Sequence, residues 1–185
     1  MRGSQYDERG NAFNWWSPKD KATFNRKARS IVTQYSAFNT PVGPVNGELT
    51  VTENIADNGG LRQAYRSYKD WLAYKGLEEE PKLIGMEDFT HDQLFFLGYA
   101  NVRIAVKPDG VLNVLDQKLY LTYYFLQLWC QNERPEALQM LLMSDEHSPP
   151  RFRTLGPFMN SEKFAEAWQC PKGSPMNPEA KNVLW

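Results

Sequence analysis

Histidine and cysteine are both scarce in this chain of 185 residues: two of each, His91 and His147, Cys130 and Cys170. The two histidines stand too far apart to form H-E-x-x-H, a motif that needs both on one helical turn. Two cysteines make no disulfide framework, and composition leaves open whether they pair or stay free. Neither sign of charge is in excess: 21 Lys and Arg against 22 Asp and Glu, a net charge of −1. Without a basic stripe, nucleic acid is excluded as the expected partner. The longest apolar run, LYLTYYFLQLWC (119–130), is too short to span a bilayer, so no transmembrane segment is expected. The opening MRGSQYDERGNAF is polar and charged and does not follow a signal-peptide pattern, so no signal peptide or anchor is expected in it. There is no Gly-rich phosphate loop, no internal repeat and no assembled nucleophilic triad.

What is present is aromatic and apolar. Aromatic residues make up 14% of the chain, which favours a folded globule over disorder. The length suits one domain with a core of its own. Helix signals dominate. Ser17 is a good N-cap, with Pro18 at the first helical position and Asp20 in the first turn. Phe24, Ala28, Ile31, Val32 and Tyr35 follow at helical spacing. NTPVGPVNGEL (39–49) reads as a loop. A second helix is expected from near Thr52 to about Lys75, burying Ile55, Tyr65, Tyr68 and Leu72. THDQ (90–93) resembles a capping box and opens a third helix to about Val102. Pro135 starts another. SPP (148–150) forces a turn, and Ser161 caps a last helix over EKFAEAWQC, before a turn-rich tail. Residues 103–128 break the pattern as an irregular insertion. It carries a hairpin signal at Pro108–Gly110, then a stretch that suits either a strand or an apolar helix.

Two constellations carry chemistry. Glu53 and Asp57 lie one helical turn apart, followed by Gly59 and Gly60. They either both bind one cation, or one ligates while the other acts from behind it, or they form an acidic helix start that complements the dipole. His147, with Arg151 and Arg153 behind it on a Pro-stiffened loop, either stabilises an oxyanion or lies on an ordinary surface loop. His91 reads as a cap or surface residue. Trp15, Trp16, Tyr65, Tyr68, Trp71 and Phe95 read as core.

These residues also carry a resemblance. ENIADNGGLRQAYRSY (53–68) is similar to the third-ligand motif of the neprilysin and endothelin-converting-enzyme family of zinc metallopeptidases, M13. DEHSPPRFR (145–153), LFFLGYAN (94–101), NERPEAL (132–138) and MNPEAKNVLW (176–185) match the family in the same order. YDERGNAFNWWSP resembles the segment after its zinc helix. The resemblance implies a mainly α fold, the helical C-terminal half of a thermolysin-like zincin domain, with 1–185 a single partial domain. It implies Glu53 as a zinc ligand and Asp57 behind it, orienting a zinc-bound histidine. It implies His147 on the oxyanion, Arg153 on a substrate carbonyl, and Val102 with Trp129 in a hydrophobic primed-side pocket. Gly59 and Gly60 are expected to let this helix pack closely on the zinc helix.

The departures are equally specific. The family's H-E-x-x-H helix and larger N-terminal part are not among these residues. Zinc is therefore expected in the complete family enzyme and weak or absent in this chain. The family's paired cysteines correspond to Ser30 and Asn182 here. Cys130 and Cys170 match cysteines whose family partners lie in the missing part. Val102 and Trp129 are parted by 103–128, whose ending YYFLQ suits a retained intron translated in frame. The expected function is that of a C-terminal fragment of a zinc metalloendopeptidase, acting on peptides in the complete enzyme and inactive alone. The alternative is a non-catalytic truncated isoform that binds peptides or pairs with the enzyme. For the parent family an extracellular or cell-surface location is implied.

Overall fold

The computed structural model of the chain describes residues 5–77, 80–103 and 135–184. Among these are helices α1 (Pro18–Ser36), α2 (Gly47–Lys75), α3 (His91–Arg103), α4 (Pro135–Ser144), α5 (Pro150–Asn160) and α6 (Glu162–Ala167), with a small hairpin of β1 (Asn39–Thr40) and β2 (Gly43–Pro44). The expected mainly α class holds. The irregular insertion falls almost wholly outside the described residues.

Local chemistry sets most helix ends. Ser17 Oγ accepts from the Asp20 amide at 3.1 Å and donates to the Asp20 carboxylate at 2.7 Å. Thr90 and Gln93 form a reciprocal capping box: Gln93 N–H donates to Thr90 Oγ1, and Thr90 N–H to Gln93 Oε1. Ser161 Oγ accepts from the Phe164 amide. Gly76 ends α2 in the left-handed conformation, φ 65°, and the Leu77 amide reaches back to the Leu72 carbonyl.

Two expectations change. Helix α2 begins at Gly47 rather than near Thr52, because Asn46 Oδ1 caps it through the Leu49 amide at 3.0 Å. The turn-like Asn-Gly pair is thus a helix start. The segment after SPP is not a loop: Pro150 opens α5, so Arg151 and Arg153 sit in its first turn. Proline fits there because a first-turn N–H has no intrahelical partner to lose.

Helix α2 is the central element, joining two apolar clusters. Its N-terminal half puts Val51 and Ile55 against Ala28, Ile31 and Tyr35 of α1. Its middle puts Leu61 and Tyr65 against Phe96, Ala100, Phe158 and Phe164 of α3, α5 and α6. Phe158 stacks on Phe164 at 4.3 Å, and Phe96 meets both rings edge-on. Of the aromatic residues expected in the core, Tyr65 is buried, but Trp15 and Trp71 are not, at 55% and 42% exposed. Trp15 instead turns its indole N–H to the Tyr6 carbonyl, 2.8 Å away.

Side-chain amides fasten the tail to this frame. Asn160 Nδ2 donates to Asn58 Oδ1 and to Gln34 Oε1, both at 2.8 Å. Asn160 Oδ1 accepts from the Asn182 backbone, and Asn182 Nδ2 donates to Gln34 Oε1. Lys27 Nζ donates to the Leu184 carbonyl at 2.7 Å. Ser30 and Asn182, where the family resemblance placed a cysteine pair, make separate bonds: Ser30 Oγ donates to the Lys27 carbonyl.

Glycines on this frame differ in what surrounds them. A Cβ at Gly156 would overlap the Tyr35 ring and hydroxyl, whereas one at Gly60 would meet nothing within 4 Å. Gly156→Ala should therefore destabilise the chain by about 1–3 kcal/mol, the usual cost of overpacking. Gly60→Ala should stabilise it by up to about 1 kcal/mol through helix propensity. Urea unfolding of the two variants against the parent checks both signs.

Candidate functional site

The middle of α2 and the start of α5 bring the candidate residues together. Glu53 and Asp57 project from α2 one turn apart. Asp57 is buried, its side chain 2% exposed. The like charges are reconciled by Arg153. Its Nε donates to Asp57 Oδ2 at 2.7 Å and its Nη2 to Asp57 Oδ1 at 2.9 Å, a bidentate fork, with Glu53 Oε2 4.0 Å from Nη2. The hydrogen bond that Arg153 donates to Asp57, followed by the charges of Asp57 and Glu53, raises the Arg153 pKa above its ordinary value. The sequence reading gave Arg153 to a substrate and Asp57 to a histidine. Here the two hold each other.

His147 stands over Glu53, with Nε2 3.3 Å from Glu53 Oε2. On its other side Asp145 Oδ1 accepts from the His147 backbone N–H at 2.8 Å and lies 2.9 Å from Nδ1. Since a carboxylate only accepts, Nδ1 carries a hydrogen. The hydrogen bonds from His147 are the main cause of a lowered Asp145 pKa.

The loop carrying His147 is bolted to α2 from beneath. Ser148 Oγ donates to Asn54 Oδ1 at 2.8 Å, and Asn54 Nδ2 donates to Thr50 Oγ1 at 2.8 Å. Asn54 and Ser148 are buried. Sequence reasoning passed over Asp145, Asn54 and Ser148. Asn54 left one signal, an amide in a helix interior where asparagine is a poor helix former. Val102 lies in the last turn of α3, but its side chain and Trp129 fall outside the described residues. So does Cys130. Cys170 is half-buried beside the aromatic cluster.

The residues present can be tested against a zinc ion. Catalytic zinc takes three protein ligands and leaves a place for water. Among the described residues no three His, Cys, Asp or Glu side chains group to hold a metal. These residues do not by themselves fit a complete zinc site. They supply a carboxylate, oriented N–H donors and a rigid frame.

Similarity to known proteins gives this geometry its class. The fold matches part of the Mycobacterium tuberculosis zinc metalloprotease Zmp1, solved with an inhibitor, at a TM-score of 0.76 and 24% identity, covering 99% of this chain and 24% of that one. The two share a fold over that part. The chain belongs to peptidase family M13, whose profile matches residues 1–109 and 105–184. It is 39% identical over 184 residues to endothelin-converting enzyme 1 of Cavia porcellus, covering all of this chain and 21% of that protein. It is 36% identical over 186 residues to Neprilysin-11 of Caenorhabditis elegans, covering all of this chain and 19% of that protein. The chain thus spans about a fifth of the length of these relatives, in their C-terminal part.

Two outcomes follow from the cluster. Asp57→Ala strands a largely buried guanidinium and should cost about 3–5 kcal/mol in urea unfolding, more than Asp57→Asn, which keeps the shape of the acceptor. Asp145 is below its ordinary pKa of 3.8 in the fold, so its contribution is complete above that value. It is lost as pH falls through the lower folded-state value. The protection factor of the His147 amide, its NMR exchange rate compared with the intrinsic rate at each pH, should hold from neutral pH down to about the ordinary Asp value and fall only at more acid pH. In Asp145→Asn that acid-linked fall should disappear.

Proposed function

We propose that this chain is the C-terminal portion of a zinc metalloendopeptidase of the neprilysin type. Its part in the complete enzyme is to contribute Glu53 as one zinc ligand, with Asp57 behind it, and His147 and Arg153 as donors to the peptide group under attack. Support comes from the convergence of these four side chains, drawn from distant segments, in a member of a peptidase family. Arg153 uses Nε and Nη2 on Asp57, which fixes the plane of its guanidinium. Asp145 orients His147 in the same way. Such pre-set donors suit an oxygen that gains negative charge.

Asp57 serves here as a positioning residue, acting through Arg153. Val102 and Trp129 are assigned to a primed-side pocket by resemblance, and 103–128 to an insertion that parts them. Peptides are the proposed substrates of the complete enzyme, and an extracellular or cell-surface location goes with that reading. No helix among the described residues is long and apolar enough to cross a membrane. The donor count favours inactivity of the 185 residues alone, which keeps a second reading open: a non-catalytic module that binds peptides or pairs with the enzyme.

The test is a fluorogenic peptide assay on this chain, on the chain without 103–128, and on each mixed with an N-terminal family fragment carrying H-E-x-x-H. Chelator-sensitive turnover is expected only in the mixtures, greater without the insert and lost in Glu53→Ala. Turnover by the chain alone, abolished by Glu53→Ala, would refute the assignment. Calorimetric titration of the chain with zinc should show no site tighter than roughly micromolar, because tight zinc sites need several ligands. A nanomolar site lost in Glu53→Ala would reveal a ligand set not counted here.

A further inference from the structure

The sequence holds two Asn-Gly pairs, Asn46–Gly47 and Asn58–Gly59. Such a pair is prone to deamidation, because a glycine has no Cβ to hinder its amide nitrogen as it approaches the asparagine side chain. The fold treats the two pairs differently. Asn58 lies within α2, where ring closure would require the backbone to leave the helix. Its Nδ2, the nitrogen that would leave, donates to the Asn54 carbonyl at 2.7 Å and to Tyr35 Oη at 3.0 Å, and its Oδ1 accepts from Asn160. Asn46 is exposed at the helix boundary, outside the helical conformation at φ −81° and ψ 88°. Its side chain is held through Oδ1, which accepts from the Leu49 amide at 3.0 Å. The Gly47 amide donates to the Val45 carbonyl at 3.1 Å, so reaction there passes through a brief opening of the turn.

The backbone at Asn46 is also the first link in a chain of bonds to the loop of His147. Its carbonyl accepts from the Thr50 amide at 3.1 Å and from Thr50 Oγ1 at 2.9 Å. Thr50 Oγ1 in turn accepts from Asn54 Nδ2, and Asn54 Oδ1 accepts from Ser148 Oγ. Gly47 is wedged against α1, where a Cβ would overlap the Val32 carbonyl and Ser36 Oγ. The main chain has no slack at this point.

We propose that Asn46 is the Asn-Gly site at which the folded chain deamidates, and that its isoaspartyl product loosens the bonds leading to Ser148. The Gly47 nitrogen gives its proton to solvent base and bonds to Asn46 Cγ. The Cγ–Nδ2 bond breaks, and ammonia leaves after taking a proton from water. Water then opens the five-membered imide at either carbonyl. Opening at Cγ gives aspartate, which caps α2 as asparagine does and adds a negative charge that suits a helix start. Opening at the main-chain carbonyl gives isoaspartate. The chain then runs through Cγ with one more carbon, and the carbonyl that Thr50 uses becomes a free carboxylate. With Gly47 wedged on α1, the added length is taken up by unwinding the first turn of α2. The site stands whether or not the peptidase reading is right, since its chemistry needs only Asn46, Gly47 and water.

The experiment ages the folded chain, and the chain unfolded in urea, at mildly alkaline pH and body temperature. Cleavage at Glu48 and Glu53 then puts Asn46 and Asn58 in different peptides. Mass spectrometry reads the mass gain of deamidation, and chromatography separates the aspartyl from the isoaspartyl peptide. In urea the two pairs should react at comparable rates. In the folded chain Asn46 should react more slowly than in urea but at least about tenfold faster than Asn58, because a helix end opens far more readily than a helix centre. In the isoaspartyl chain, isolated by ion exchange, the Thr50 amide should lose hydrogen-exchange protection by about tenfold or more, and the Asn54 side-chain amide should shift in the NMR spectrum. Asn46→Asp, the other product, should keep Thr50 protected. The proposal is overturned if Asn58 converts as fast as Asn46 in the folded chain, or if folded Asn46 shows no conversion once the chain in urea has reacted completely. It is also overturned if the isoaspartyl chain leaves Thr50 and Asn54 as they are in the parent.

Discussion

The fork between Arg153 and Asp57 is the constraint on which the site rests. It sets a guanidinium against a buried carboxylate at 2.7 and 2.9 Å and joins α2 to α5 across 96 residues of sequence. Removing two charges from water is expensive, and a buried pair of this kind is poor evidence of net stability. What it fixes is register. Once the planar fork is engaged, α5 cannot slide or rotate on α2 without stranding a charge. The same guanidinium lets Glu53 and Asp57 share a helix face that their mutual repulsion would oppose.

Everything nearer to chemistry hangs from that register. His147 precedes α5 by a few residues, so the placement of α5 places the loop. The bonds of Asp145, Ser148 and Asn54 then remove the freedom that a loop residue would keep. Two of these bolts are buried and neutral, the third is charged and half-exposed. The arrangement has a rigid base and a more adjustable outer face.

The sequence was legible where one residue's chemistry decides the outcome. Ser17, the Thr90–Gln93 pair and Ser161 all work through bonds to neighbours within a few positions. Helix α5 was not legible, because Ser-Pro-Pro looks like a turn and Pro157 lies inside the helix that follows. Only packing of Phe152 and Phe158 on other elements makes that stretch helical. The start of α2 was hidden for a related reason: Asn-Gly favours a turn, yet Gly47 is needed because α1 leaves no room there for a Cβ. For the site, motif resemblance named Glu53, Asp57, His147 and Arg153. It did not reveal that Arg153 is spent largely on Asp57, since no spacing rule reports a pair made between distant helices.

The amide bonds that fasten the tail have a bearing on the order in which the molecule is completed. Gln34, in the first helix, receives Asn160 and Asn182, 126 and 148 positions later in the chain. Helix α1 can form early and lie against α2, but its polar side then waits for Asn160 and Asn182 to be made. Contacts of such range demand a large loop closure before they return any free energy. During synthesis Gln34 and Asn58 must therefore stay hydrated until Asn160 and Asn182 have emerged from the ribosome.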